Sequence, residues 1–260
     1  MLDLTAINQA LGAEACRFDA ELLPECASTN ALLLSRAEAG APSGTVLIAE
    51  SQTAGRGRRG RPWHCAPGES LTFSLLWRFA PGTQPLGLSL AAGLAVVQAL
   101  EKLGAGQTAP RTIRLKWPND VLKEGTKLAG ILVELVPNAP HAAVIGIGLN
   151  LELPATMPDE LRAHSAALDV AVDPNVLLAA ILIELRATLE TFATAGFGAL
   201  REAWLARHAF GDTPIRLLSD FAPPREGICR GVDVDGALLL ETSGRVERIL
   251  SGEVSLRRAT

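Results

Sequence analysis

Apolar positions along the chain recur in two periods, and each change of period marks a new element. Residues 4–11 predict a short helix, and 17–26 a strand carrying Phe18, Leu22 and Leu23. Ser28-Thr29-Asn30 precede Ala31-Leu32-Leu33-Leu34, and Ala39-Gly40 close the run, the pattern of a helix with a hydroxyl cap and a glycine stop. Residues 45–50 predict a strand. Leu71, Phe73, Leu75 and Trp77 alternate with Thr72, Ser74 and Leu76, which predicts a strand with one face in the core. Leu90, Leu94, Val97, Leu100 and Leu103 fall at helical spacing, so 88–103 reads as an amphipathic helix.

Further on, Ile113 to Leu122 reads as two strand-like halves about a Pro118-Asn119-Asp120 turn. The apolar segment Leu128 to Val136 is interrupted by Gly130 and by Glu134, read as a charge on a strand surface. The strand from Ala142 to Glu152 contains Gly146 and Gly148, which implies close approach by a ligand or another strand. After a connection with Pro154 and Pro158, Asp173-Pro174 starts a helix whose buried stripe is Leu178, Ile181, Leu185, Leu189 and Phe192. Residues 199–209 predict another helix. From Thr213 onward short strands alternate with turns at Pro223-Pro224, Asp235-Gly236 and Ser243-Gly244. The expected fold class is α+β: a mixed or antiparallel sheet with packed helices over residues 1–210, then a small β-barrel over 211–260.

Composition changes this picture little. The 260 residues are 48% hydrophobic and 20% charged, ordinary for a globular chain with a sizeable core. Cys16, Cys26, Cys65 and Cys229 are scattered without metal-ligand spacing, so the expectation is reduced thiols and no protein-bound metal. The start Met1-Leu2-Asp3-Leu4 has no export signal, and no apolar run suits a bilayer; the expectation is a cytoplasmic protein with no membrane partner.

Charge changes it more. The net charge is −4, yet Gly55-Arg56-Gly57-Arg58-Arg59-Gly60-Arg61-Pro62-Trp63 packs four arginines and three glycines into nine residues. Glycines let backbone N–H groups reach an anion, and arginines add forked donors that match phosphate and carboxylate oxygens. Gly55, Gly57 and Gly60 also spell G-x-G-x-x-G, but Pro62 and Pro67 disfavour the helix a dinucleotide site needs, and no acid stands near position 80. Two readings of the loop remain: a cover for a phosphate-bearing ligand, or a basic surface patch. Ser28, Thr29 and Asn30 are likewise either plain caps or ligand contacts at a helix N-terminus.

Several motifs in order resolve this. The arginine loop, Lys116-Trp117-Pro118-Asn119-Asp120, Lys127-Leu128-Ala129-Gly130-Ile131-Leu132-Val133-Glu134 and Gly146-x-Gly148-x-Asn150 resemble those of biotin protein ligases. The tail, Gly231-Val232-Asp233, Gly236 to Leu240 and Gly252-Glu253-Val254-Ser255-Leu256, resembles the SH3-like C-terminal domain of that family. The resemblance runs over nearly the whole chain from Ser28. It implies a class II synthetase-like catalytic domain that couples biotin to ATP, giving biotinyl-5′-AMP and pyrophosphate. It then implies transfer of biotin to a lysine of the biotin carboxyl carrier protein of acetyl-CoA carboxylase, with Mg2+ as cofactor. Relatives of the same fold leave two alternatives, a lipoate–protein ligase and a biotin sensor without transfer activity.

The resemblance also implies residue roles. Ser28, Thr29, Asn30 and Gln52 would line the biotin pocket. Arg56 and Arg58 would meet carboxylate and phosphate, with Gly55 and Gly57 in the loop giving backbone access. Arg61 would contact phosphate or ribose, Trp63 would pack near adenine, and Asn119 would hold the nucleotide. Lys127, with Arg58 and Arg56, would be the catalytic cation. Asp120 would serve magnesium or the incoming amine, and Gly130, Gly146, Gly148 and Asn150 would border the ligand. Trp117 reads as core. Many bacterial relatives carry an N-terminal DNA-binding domain; only 27 residues precede Ser28, so the expectation is a form without DNA binding. Some members dimerise through sheet edges, and the 131–136 strand is the matching candidate for a homodimer.

Overall fold

The computed structural model describes residues 1–104, 113–155, 157–168, 172–219, 223–250 and 254–258. Gly252 and Glu253 of the tail motif lie outside the described residues. The larger sheet is built from β1 (Asp19–Cys26), β2 (Thr45–Gln52), β3 (Ser70–Arg78), β4 (Ile113–Lys116), β5 (Asp120–Lys123), β6 (Thr126–Val136) and β7 (Ala139–Asn150). Their order is β1-β2-β3-β7-β6-β5-β4; β1 and β2 run parallel and the remaining neighbours antiparallel, so the sheet is mixed.

Helices flank this sheet: α1 (Leu4–Leu11), α2 (Thr29–Glu38), α3 (Leu88–Lys102), the short α4 (Asp159–Arg162), α5 (Pro174–Ala195) and α6 (Arg201–Leu205). On one face Val46, Ile48, Phe73, Leu75, Ile131, Ile145 and Ile147 pack into a single core with Leu94, Val97, Leu178 and Leu185 of α3 and α5. Burying a side chain the size of Phe73 is worth about 1.5–3 kcal/mol. On the other face α2 covers part of the sheet, packing Leu33 against Leu47, Leu76 and Val144. The rest of that face is left open. Caps set the helix starts: Asp3, Ser28 and Asp173 side chains accept from Ala6, Ala31 and Asn175 N–H groups.

Three expectations are adjusted. β3 is buried on both faces from Ser70 to Leu76, because α2 adds a second layer over Leu76. α3 is buried nearly all round, since it lies between the sheet and α5. The helix expected over 199–209 contracts to α6, after which Leu115 exchanges backbone hydrogen bonds with Arg207 and Ala209.

The C-terminal sheet is β8 (Pro214–Ser219), β9 (Arg225–Val232), β10 (Leu238–Thr242), β11 (Arg245–Ile249) and β12 (Val254–Arg258), ordered β11-β10-β9-β8-β12. It docks beside α3. Trp117, wholly buried as expected, donates its indole N–H to Gly236 O at 3.0 Å, and Arg201 Nε donates to Val232 O at 2.7 Å. The docking is close: a Cβ on Gly236 would lie 2.5 Å from Leu90 Cδ1 and 2.9 Å from Gly87 Cα.

Candidate active site

Strand register builds the site. Because side chains alternate faces, positions in register share a face and form rows across a sheet. One row reads Ala49, Thr72, Gly148, Gly130, Asp120, and the next Leu47, Ser74, Gly146, Leu132. Both rows lie on the face that α2 only partly covers. Their glycines form a floor without side chains, and other residues occupy the space above. The Trp63 indole lies over Gly148, where a Cβ would come within 2.3 Å of the ring; Asn30 lies over Gly146, where a Cβ would come within 2.2 Å of Oδ1. The close approach expected at these glycines is therefore made by the chain's own side chains.

Above this floor is a cavity of about 680 Å³. It is lined by Ser28, Thr29, Asn30, Gln52, Arg56, Gly57, Arg58, Arg61, Trp63, Asn119, Asp120, Lys127, Gly130, Gly146, Gly148 and Asn150. Of the residues expected at the site, Gly55 alone is elsewhere. It is buried at the base of the arginine loop, where its carbonyl accepts from Trp63 N at 2.9 Å and a Cβ would meet Trp63 O at 2.9 Å. The loop is a hairpin: Arg56 and Pro62 form an antiparallel bridge, Gly57 N donates to Arg61 O at 2.7 Å, and residues 58–60 make a short turn of helix at the tip. Arg58 reaches across to Asn119 Oδ1 at 3.4 Å, and Asn119 Nδ2 donates to Ile131 O at 2.7 Å. A larger opening of about 1070 Å³, beside Lys123 and Arg162, contains none of these residues.

The charged centre is Asp120. Its Oδ1 lies 2.8 Å from Lys127 Nζ and its Oδ2 lies 3.2 Å from Lys116 Nζ. Burial alone would push the Asp120 carboxyl up, but the ammonium groups of Lys127 and Lys116 outweigh it and hold the carboxyl below its ordinary range. For Lys116, burial wins and lowers the ammonium, with Asp120 opposing and Arg257 assisting. Lys127 Nζ also stands 5.6 Å from the Trp63 ring centroid, within cation–π range.

A second polar set lies at the α2 end. Thr29 N–H donates to Gln52 Oε1 at 2.8 Å, Ser74 Oγ lies 2.7 Å from Thr29 Oγ1 and 2.6 Å from Asn30 Oδ1, and Asn30 Nδ2 donates to Glu134 Oε2 at 2.7 Å. Glu134 is thus tied into the pocket wall, which corrects its reading as a plain surface charge. The sequence reading also left out Lys116, Thr72, and three residues at the C-terminal side of the cavity, Phe210, Leu256 and Arg257. Lys116 stands in a recognised motif, so its proximity to Asp120 was the available signal. Nothing local marks Phe210 or Arg257, which reach the cavity only through the docking of the second sheet.

Among the described residues no three His, Cys, Asp or Glu side chains gather as a cage, and Asp120 has each carboxylate oxygen on a lysine.

Comparison with known proteins agrees with the fold. Residues 23–150 match the Biotin/lipoate A/B protein ligase family, and residues 214–257 match the Biotin protein ligase C terminal domain. The bifunctional ligase/repressor BirA of Escherichia coli is 40% identical over 246 residues, which is 92% of this chain and 74% of that protein. The biotin–[acetyl-CoA-carboxylase] ligase of Mycobacterium tuberculosis is 37% identical over 254 residues, covering 95% of this chain and 92% of that one. The Aquifex aeolicus biotin protein ligase solved with biotin and ATP superposes with a TM-score of 0.78 at 30% identity, over 93% of this chain and 99% of that chain. With sequence and fold both in correspondence over most of its length, the chain belongs to the biotin protein ligase family.

Proposed function

We propose that the chain activates biotin with ATP as biotinyl-5′-AMP and transfers the biotinyl group to a lysine of a biotin carboxyl carrier protein. The observation that carries the residue assignment is the single cavity that joins Lys127, the arginine hairpin and the polar wall of Thr29, Asn30 and Gln52 over a glycine floor. In the first step the biotin carboxylate attacks the α-phosphorus and pyrophosphate leaves. Two anions must meet, and negative charge gathers on the phosphoryl oxygens. Two unit charges at 4 Å interact by about 4 kcal/mol at an effective dielectric near 20, so a fixed ammonium and two guanidinium groups lower this barrier. Lys127 is assigned to bridge carboxylate and α-phosphate oxygens, with Arg56 and Arg58 beside it. Arg61 and Asn119 are assigned to the nucleotide, and Trp63 to the wall by the adenine. The hairpin, closed over the adenylate, would keep water from hydrolysing it.

In the second step the carrier amine attacks the acyl carbon, its proton is lost and AMP leaves. Asp120 is a weak base for that proton, because two lysines hold its carboxyl low. It is better placed as the anchor that aims Lys127 into the cavity. Magnesium, in this reading, arrives on the phosphates of the nucleotide, as small divalent ions commonly do.

The same proposal divides the chain into a catalytic domain, 1–210, and an SH3-like domain, 211–260. It places the enzyme in the cytoplasm with ATP and carrier; no helix among the described residues is long and apolar enough to cross a membrane. A homodimer would form along β6. β5 pairs with β6 only as far as Gly130 and Asn119 O takes the Ile131 N–H, so residues 132–136 have no neighbouring strand on that edge among the described residues. No DNA partner is assigned; a shifted duplex in a gel assay would count against that part.

The test offers biotin and lipoate together with ATP, magnesium and apo carrier domains for each. Exclusive biotinylation supports the proposal. Preferential lipoylation would favour the lipoate-ligase reading, and binding of biotin without transfer would favour a sensor.

A further inference from the structure

We infer that Glu134 is a positioning residue that fixes the orientation of the Asn30 amide and thereby makes Asn30 a hydrogen-bond acceptor toward the bound acid. The inference rests on the biotin-ligase reading above and adds a residue to it. Asn30, in the first turn of α2, is 5% exposed and lies over the Gly146 floor. One end of its amide faces Glu134 Oε2 at 2.7 Å and Leu132 O at 3.3 Å. The Leu132 carbonyl can only accept, and a carboxylate oxygen is an acceptor as well, so the NH2 end must point there. Its two protons are then committed. The carbonyl end is left to meet Ser74 Oγ at 2.6 Å.

The remaining protons follow by elimination. Ser74 has one hydroxyl proton, and a 2.6 Å oxygen–oxygen contact with Asn30 Oδ1 requires it. The 2.7 Å contact between Ser74 Oγ and Thr29 Oγ1 must then carry the Thr29 proton. Gln52 Oε1 takes the Thr29 backbone N–H at 2.8 Å, while the Thr29 hydroxyl lies farther from it, at 3.2 Å. The amide orientation thus sets the proton order through Ser74 on β3 and back to the Thr29 hydroxyl on α2. What Asn30 has left for a ligand is the second lone pair of Oδ1, an acceptor. It suits an N–H donor such as that of a cyclic urea and offers nothing to a dithiolane ring.

Replacing Glu134 with an apolar residue of similar length removes the nearer of the two acceptors and leaves only Leu132 O at 3.3 Å, so the Asn30 amide is held more weakly and its NH2 can turn toward the ligand. The experiment measures steady-state kinetics of the full chain with biotin, ATP, magnesium and carrier, for wild type, Glu134→Met and Glu134→Gln. For Glu134→Met the expected result is a KM for biotin raised about tenfold, the scale of one lost neutral hydrogen bond. Its kcat and its KM for ATP stay within about twofold. Glu134→Gln, whose carbonyl still accepts from Asn30, recovers the KM to within about threefold. Discrimination between biotin and an analogue methylated on the ureido nitrogens narrows in Glu134→Met and not in Glu134→Gln. An unchanged KM for biotin in Glu134→Met would overturn the inference, as would a parallel fall in kcat and ATP affinity or a Gln variant no better than Met. Wild type that turns over no biotin would instead sink the ligase reading on which the inference stands.

Discussion

Lys127 Nζ and Asp120 Oδ1 are 2.8 Å apart, and the second oxygen of the same carboxylate holds Lys116. One half-buried anion therefore serves two half-buried cations, and only Lys127 of the pair also reaches the Trp63 face. Asp120→Asn removes the anchoring charge and leaves Lys116 unpaired. The expected outcome is a kcat lowered more than tenfold, with stability reduced by about 3 kcal/mol as for a broken buried pair. Stopped-flow pyrophosphate release and urea unfolding check the two parts separately.

Gly148 leaves room for an indole rather than for a turn. A Cβ there would fall within 2.3–2.7 Å of three Trp63 atoms, so Gly148→Ala must move Trp63 off the floor or shift the strand. Overpacking of this kind costs about 1–3 kcal/mol. Activity should fall by more than that destabilisation explains, and tryptophan fluorescence should shift as the indole gains water. An unchanged emission spectrum with full activity would contradict the placement of Trp63.

His208 packs at a tilt on Trp204 with ring centroids 4.6 Å apart, and neither of its ring nitrogens has a hydrogen-bond partner among the described residues. Burial lowers its pKa from 6.5 to about 4. The unfolded chain therefore takes up a proton near pH 6.5 that the folded chain resists until about pH 4. Stability should be full above pH 6.5, decline as pH falls from 6.5 to 4, and be level below that. The loss attributable to this residue is about 3 kcal/mol. Urea unfolding of wild type and His208→Phe across this range checks it, and the gap between the two curves should open only in that window.

The seam between the two sheets is tight at Gly236, whose φ of +81° favours glycine and whose missing Cβ keeps Gly87 and Leu90 in contact with the second sheet. Gly236→Ala should loosen the docking. Because Phe210 and Arg257 line the cavity from that side, the KM for ATP or carrier should rise along with the loss of melting temperature. Unaltered kinetics would mean that the second sheet is not needed at the mouth of the cavity.

Much of the fold was legible in the sequence because its signals are local. The Ser28 and Asp173 caps, the Leu90-to-Leu103 spacing and the Pro118-Asn119-Asp120 turn each carry their own conformational cause. Non-local relations were less legible. Alternation in β3 reports one buried face, and nothing in it announces that α2 will cover Leu76 on the other. Glu134 looks like a surface charge until the register places it beside Asn30, 104 residues earlier. The glycines at 146 and 148 announced close approach, while the identity of what approaches, Asn30 and Trp63, needed the tertiary structure. For the site as a whole, motif resemblance named the residues; register explains why they meet.

The central claim is that Lys127 in this cavity drives biotin transfer. Its most direct test is intact-mass spectrometry of an apo biotin-carrier domain after incubation with ATP, magnesium, biotin and either wild type or Lys127→Ala. The account predicts one biotinyl group on the carrier lysine with wild type and near-complete loss of that product with Lys127→Ala at unchanged folding. A carrier left unmodified by wild type, or modified equally well by Lys127→Ala, would contradict it.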